Sequence, residues 1–188
     1  SDLALRPGDQ AQVSLQAAHR LVDLGEIETH GGQVSLLLKA SSAIDANVLW
    51  VGEGARIDVS GTALLTPDSS DGLLRGSVAD GGSISLSAGS AQTGQSSLVL
   101  QEGATLDASG ALGLLDVTER SATGVRTSRQ QVASHGGSVS VTGNADMLLE
   151  AGVDLRGGST TAAGGSLSIT QLAARSQVSS TDTGPYND

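Results

Sequence analysis

The chain contains no cysteine and no phenylalanine, and it has a single tryptophan and a single tyrosine among 188 residues. The lack of cysteine excludes disulfide bonds, thiolate-bound metals and thiol catalysis. The lack of aromatic residues is unusual for a globular core, which generally relies on aromatic volume. Since 38 % of the residues are still apolar, mostly Val, Leu, Ile and Ala, the composition favours a thin core of stacked aliphatic side chains.

Basic residues and long apolar runs are also scarce. Ten Lys and Arg against twenty Asp and Glu give a net charge of −10, which argues against nucleic acid as a partner. No apolar run approaches the ~18 residues that a membrane-spanning helix requires, so we expect no membrane insertion. The opening sequence SDLALRPGDQ lacks the basic and apolar regions of a signal peptide.

A short motif, Gly-Gly-x-Val-Ser-Leu in its first complete copy, recurs along the chain. Because strand side chains alternate between two faces, its copies predict two inward-facing aliphatic ladders and one outward-facing serine ladder. The inward ladders contain Val13, Val34, Ile84, Val139 and Leu167, and Leu15, Leu36, Leu86, Val141 and Ile169. The serine ladder contains Ser14, Ser35, Ser85, Ser140 and Ser168, and we expect it to keep the outer face soluble.

A second motif alternates with the first. It reads GARIDVSG at 54–61, GATLDASG at 103–110 and, more loosely, GVDLRGG at 152–158. Its aliphatic residues Ile57, Leu106 and Leu155 recur at equal intervals, so we expect them to contact one another in successive copies.

The aspartates of the second motif raise the question of chemistry. Asp58 and Asp107 should face outward on neighbouring strands, ~5 Å apart, with Arg156 at the same position in the third copy. Paired carboxylates can bind a cation or cleave a glycosidic bond. Without a recurring Lys, His or Tyr beside them, a solvated charge ladder is the favoured interpretation. No catalytic, metal-binding or cofactor-binding residue is therefore predicted.

Three short strands in a repeat of about 21 residues, with glycine corners, are typical of a parallel β-helix. We predict an all-β chain in which residues 1–170 form such a helix, with coils starting near 13, 34, 84, 139 and 167. The second and third coils carry long loop insertions at 62–80 and 111–135. Residues 171–188 are predicted to form a partial coil and a polar C-terminal exit.

The two insertions should leave the same corner and lie side by side. The candidate recognition residues are Asp68, Asp71 and Arg75 in the first insertion, and Arg120, Arg126 and Arg129 in the second. Their opposite charges either pair between the loops or form a recognition patch, and the sequence leaves both alternatives open.

The alternation of GG-x-V-S-L with G-A-x-I-D-x-S-G, in a Gly-, Ala- and Ser-rich chain without cysteine, resembles the filamentous haemagglutinin family. The resemblance implies a right-handed parallel β-helix in a large exoprotein of Gram-negative bacteria. It also implies export by two-partner secretion, an outer-membrane transporter as partner, and a location at the bacterial outer surface or outside the cell. The Asn-Pro-rich motifs of the family's secretion domain are absent, so the resemblance is to an interior segment.

The expected function is a non-catalytic structural or adhesive shaft segment of such an adhesin, with a surface receptor or glycan as its unknown target. Two alternatives stay open at this point. One is a self-assembling extracellular filament whose coils stack end to end, because terminal strands leave unpaired backbone groups. The other is a β-helical glycan-cleaving enzyme, although one Trp and one Tyr supply few aromatic platforms for a sugar.

Overall fold

A computed structural model describes residues 4–39, 47–89, 96–122, 124–144 and 146–172. These residues form eighteen strands and no helix. The strands are β1 (Ala4–Leu5), β2 (Gln12–Ala17), β3 (Arg20–Asp23), β4 (Glu26–Glu28), β5 (Gln33–Leu38), β6 (Asn47–Val51), β7 (Arg56–Asp58), β8 (Ala63–Pro67), β9 (Leu74–Val78), β10 (Ser83–Ala88), β11 (Ser96–Leu100), β12 (Thr105–Asp107), β13 (Leu112–Ser121), β14 (Gly124–Ala133), β15 (Ser138–Gly143), β16 (Asp146–Leu149), β17 (Gly152–Asp154) and β18 (Ser166–Gln171). The prediction of an all-β chain is confirmed.

Three parallel sheets and two antiparallel hairpins make up the structure. The serine sheet has the strand order β2-β5-β10-β15-β18, and the acidic sheet has the order β1-β4-β7-β12-β17. The third, four-stranded sheet has the order β3-β6-β11-β16. Strands β8 and β9 form the first hairpin, and β13 and β14 form the second hairpin.

The prediction of a single right-handed parallel β-helix is wrong. The strands lie in separate parallel sheets of five, five and four strands, and no closed helix joins them. The two insertions were predicted as loops, but they fold as antiparallel hairpins whose strands pair with each other. The predicted partial coil and exit at 171–188 lie outside the described residues from position 173 onward.

The ladders of the first motif are confirmed. Across the serine sheet, Val13 pairs in register with Val34, and the row continues through Ile84 and Val139 to Leu167. The second aliphatic row and the serine row follow the same register. Within the sheet the inward residues are shielded from water, since Leu36 and Leu86 are both 0 % exposed. The period of two in the sequence therefore predicted which side chains of this sheet face the core.

The core contains only aliphatic side chains among its buried apolar residues, as the composition predicted. The largest of them come from all three sheets and include Leu36, Leu49, Ile57, Leu98 and Leu106. Such a core has few polar atoms to satisfy, and each buried aliphatic side chain contributes roughly 1.5–3 kcal/mol.

Glycines allow the corners beside the serine sheet to stack closely. A Cβ on Gly82 would lie 1.9 Å from the carbonyl oxygen of Gly32, and one on Gly137 would lie 1.9 Å from that of Gly82. The contact repeats at Gly165, so the four corners form a glycine column. Backbone packed this closely excludes any side chain, which explains why Gly-Gly precedes four of the five copies of the Val-Ser-Leu motif.

None of the described segments forms a helix with the length and apolar character that a membrane crossing needs.

Candidate functional site: the twin hairpins

Both hairpins leave the body of the protein at a closed base. At the first base the Ala79 N–H donates to the Thr62 carbonyl at 2.8 Å. At the second base the Ser134 N–H donates to the Ala111 carbonyl at 2.9 Å, and the Ser134 hydroxyl accepts the Ala111 N–H at 2.8 Å. These bases hold each hairpin in a fixed direction, so the predicted loops are rigid antiparallel elements rather than irregular connections.

The hairpins pack side by side, as expected of insertions that leave the same corner. The Leu74 N–H at the start of β9 donates to Asp116 Oδ2 on β13 at 2.7 Å. At the inner end, the Val78 side chain lies against Gly113 so closely that a Cβ there would be 2.7 Å away. Between these points runs an open cleft of about 380 Å³, lined by β9, β13 and Val132. The two insertions therefore form one composite surface.

The charged residues pair within each hairpin, not between hairpins. In the first, Arg75 forms ion pairs with Asp68 and with Asp71, the latter at 2.6 Å. Hydrogen bonds from the hydroxyl and backbone N–H of Ser70 lower the pKa of Asp68. Asp68, Asp71 and Arg75 thus stabilise their own turn. Pairing between the two insertions, one of the two alternatives, is not observed for these residues.

Arg129 of the second hairpin likewise forms an ion pair within its own hairpin. Its Nε donates to Asp116 Oδ1 and its Nη2 to Asp116 Oδ2, each at 3.0 Å. The Arg129 hydrogen bonds, followed by the bond from the Leu74 N–H, lower the pKa of Asp116. Asp116 is the residue that sequence reasoning missed, and it connects the hairpins by accepting bonds from both.

Arg120 and Arg126 lie near the tip of the second hairpin but on opposite faces. The antiparallel register pairs Arg120 with Val125, and Arg126 with Glu119. Because side chains alternate along a strand, Arg120 shares a face with Asp116 and Arg129, whereas Arg126 points the other way. Both arginines are exposed, and neither forms an ion pair with any described residue. The expected cluster of three arginines is therefore not formed.

One face of the second hairpin, here called the open face, is turned to solvent at its base and at its tip, with the Asp116–Arg129 ion pair between them. Its large apolar side chains are Leu112 (47 % exposed) and Leu114 (43 %) at the base, and Val125 (62 %) at the tip, where it pairs with Arg120. The opposite face is covered at its base, where Leu115 is buried. The adjacent Leu114 and Leu115 show no alternation in the sequence, and the sequence interpretation assigned the segment to a loop.

The second motif forms a row of carboxylates across the acidic sheet. Glu28 pairs in register with Asp58, Asp58 with Asp107, and Asp107 with Asp154. Arg156 was expected in this row, and that expectation is wrong: Asp154, two residues earlier, occupies the position. For the same reason Val153, not Leu155, pairs with Leu106.

Asp58 is buried rather than solvated, which is a second correction. Its side chain is 7 % exposed, and Arg56 Nη2 lies 2.5 Å from Asp58 Oδ2. Burial alone would raise the pKa of Asp58, but hydrogen bonds from Arg56 and Ser60 outweigh it, and the pKa is lowered. Arg56 also lies 3.6 Å from Asp107, and His30 Nε2 lies 3.0 Å from Glu28. The row is therefore a network of ion pairs.

Among the described residues, no group of three or more His, Asp or Glu side chains converges to hold a metal ion.

Comparison with known proteins gives no relative: no protein-family model, no curated protein and no solved structure matches this chain.

Proposed function

We propose that this chain is a non-catalytic adhesive segment of a large secreted bacterial protein of the filamentous haemagglutinin kind. The three parallel sheets provide the scaffold, and the open face of the second hairpin contacts a receptor or glycan on another cell. The resemblance of the two repeated motifs supports the class of protein, export through an outer-membrane transporter and location at the cell surface.

The open face is the observation that carries the recognition role. Val125 pairs with Arg120 near the tip of this face, and Leu112 and Leu114 are exposed at its base, whereas the inward aliphatic residues of the inner strands of the sheets are buried. Exposed apolar side chains and arginine are common in recognition surfaces, and an arginine such as Arg120 contributes strongly where water is excluded. Arg75 and Arg129 already form ion pairs with aspartates of their own hairpins. Arg120 is therefore the arginine on this face that can bind a ligand.

The scaffold role rests on the stacking of like residues. The two aliphatic rows and the serine row each contain one residue type on neighbouring strands, and the hairpins project from this regular body at closed bases. Such a body positions surface elements without requiring them for its own core. Recognition elements on rigid scaffolds of this kind lose little entropy on binding.

The test measures adherence of beads coated with the chain to epithelial monolayers and to a panel of immobilised glycans. The main variant replaces residues 112–133 by a four-residue turn that joins Ala111 and Ser134. We expect this variant to stay folded, since the base already closes through Ala111 and Ser134, and to lose adherence.

A point variant and a matched control refine the result. Val125→Glu on the open face should reduce adherence at least about tenfold, whereas Arg126→Glu on the opposite face should change it little. Beads that adhere no better than albumin-coated beads would contradict the adhesive role. Unchanged adherence after removal of 112–133 would place recognition elsewhere.

A further inference from the structure

Among the described residues, the outermost strands of the parallel sheets pair with a neighbour on one side only. In the serine sheet β2 and β18 are the outermost strands, and in the acidic sheet β1 and β17 are outermost. The outer edges of β1 and β2 are here called the N-terminal end, and those of β17 and β18 the C-terminal end. Unpaired edges of this kind invite another strand to add to the sheet.

Both ends expose side chains that are buried elsewhere in the same rows. At the N-terminal end Leu15 is 39 % exposed, while its row neighbour Leu36 is completely buried. At the C-terminal end Leu167 and Ile169 are 49 % and 53 % exposed. These residues complete the aliphatic rows but have a neighbour on one side only. Among the described residues, the outermost strand at each end thus has the same unpaired side, which a further strand with the same alternation would fit.

We propose that a second copy of this chain binds head to tail, with β18 and β17 of one copy pairing in parallel with β2 and β1 of the next. The register that relates neighbouring strands of the serine sheet then places Leu167 beside Val13, Ser168 beside Ser14, and Ile169 beside Leu15. The two aliphatic rows and the serine row therefore continue with their own residue type across the junction.

Charge complementarity in the acidic sheet favours the same arrangement. Leu5 pairs with Ile27, so the next residue, Arg6, is level with Glu28, to which its Nε lies 2.9 Å away. Asp154 is level with Asp107 and ends the carboxylate row. The junction brings the Asp154 carboxylate of one copy next to the Arg6 guanidinium of the other, and Val153 next to Leu5.

Head-to-tail pairing is also the geometry that preserves strand direction. Two identical ends related by a two-fold axis would meet with antiparallel strands, and the rows of like residues would then be out of register. All the pairs within the three sheets are parallel. A heterologous contact repeats this pairing and leaves both outer ends available for further copies.

The four-stranded sheet takes no direct part in the junction. It has one strand fewer among the described residues, so β16 of one copy and β3 of the next do not become neighbours. This matters for Asp23 on β3, whose buried Oδ2 has no hydrogen-bond partner among the described residues. Burial raises the pKa of Asp23, and a strand directly on top of it would add to that cost. The contact is thus restricted to the serine and acidic sheets.

Sedimentation equilibrium of the full 188-residue chain over a concentration series tests the proposal. The average mass should rise with concentration beyond that of a dimer, because each added copy leaves an open end. Leu15→Lys blocks the N-terminal end and Ile169→Lys blocks the C-terminal end. Each variant alone should associate at least about tenfold more weakly than the parent chain.

Mixing the two variants is the decisive step. Leu15→Lys keeps an intact C-terminal end and Ile169→Lys keeps an intact N-terminal end, so an equimolar mixture should form dimers and nothing larger. Val125→Lys, at an exposed hairpin position, serves as the control and should associate like the parent chain. A strictly monomeric parent chain, a single blocked variant that associates as strongly as the parent chain, or a mixture that associates no better than either variant alone would each overturn the proposal. These readouts are independent of adherence, so the adhesive role can fail without affecting them.

Discussion

Substituting Gly82 by alanine tests the close backbone contact within the glycine column. Gly82 lies in the glycine column, where its N–H donates to the Val59 carbonyl at 2.7 Å. A methyl group at this position would lie 1.9 Å from the Gly32 carbonyl oxygen, whereas ordinary contacts begin near 3.4 Å. The obstacle is backbone, so a rotamer change cannot relieve the clash.

The expected loss of stability follows from the strand movement that would relieve the clash. To restore contact distance, β5 and β10 have to separate by about 1.5 Å at the corner, which weakens the bond from the Ser83 N–H to the Gly32 carbonyl. Overpacking generally costs about 1–3 kcal/mol and a lost hydrogen bond adds about 1 kcal/mol, so we expect a loss of about 3 kcal/mol. For a chain of this length the midpoint of thermal unfolding should fall by roughly 6–12 °C.

The assay is thermal and urea unfolding followed by far-UV circular dichroism, at concentrations low enough to exclude association. Gly164→Ala is the matched control, because the nearest atom to its Cβ is the Leu155 carbonyl oxygen at an acceptable 3.4 Å. We expect this control to change stability by less than about 1 kcal/mol. Equal effects of Gly82→Ala and Gly164→Ala would refute the close stacking of the glycine column.

Two further predictions concern the acidic sheet. Leu106→Asp should lower the melting temperature far more than Asp107→Ala. Leu106 is 1 % exposed, and an unpaired buried charge costs several kcal/mol. Asp107→Ala removes only hydrogen bonds from Ser109, which are worth about 1 kcal/mol. Comparable losses would show that the faces are reversed. The lowered pKa of Asp58 means that its ion pair stabilises the fold above about pH 4, and that this contribution is lost as the pH falls toward the lower folded-state pKa. Asp58→Asn should therefore lower the melting temperature at pH 7 and reduce its decline between about pH 5 and pH 3, and an unchanged decline would contradict the role of this residue.

The serine sheet could be predicted from the sequence because its signal is redundant. Five copies of Val-Ser-Leu or its equivalents share one alternation, and Gly-Gly marks the start of four of them. A shift by one residue would turn every aliphatic side chain outward, so the pattern permits one face. The register followed from the same residues, since Val34, Ile84 and Val139 each follow a Gly-Gly pair at the same distance.

The third copy of the acidic-sheet motif could not be placed in the same way. A shift by two residues keeps the alternation, so Val153 and Leu155 both satisfy the inward position. The structure selects Val153, and this puts Asp154 rather than Arg156 in the carboxylate row. Only the backbone hydrogen bonds between strands distinguish these registers.

The burial of Asp58 could not be predicted from the sequence either. Its position in the alternation correctly indicates a side chain that points away from the aliphatic core. Asp58 is covered by longer side chains from its own strand and from neighbouring residues, mainly Arg56 and also His30. Such a cover depends on rotamers and cross-strand neighbours that a linear pattern does not encode.

The hairpin bases show why the scaffold and the recognition surface can vary separately. Just before the first hairpin the Gly61 N–H donates to the Ser109 carbonyl at 2.7 Å, and just before the second the Gly110 N–H donates to the Arg156 carbonyl at 2.7 Å. The inter-strand bonding of the acidic sheet thus continues to the residue at which each hairpin departs. Beyond that residue the hairpin strands pair with each other. Changes in the length or side chains of β13 and β14 therefore leave the bonds of the parallel sheets intact, and a new open face can arise on an unchanged body.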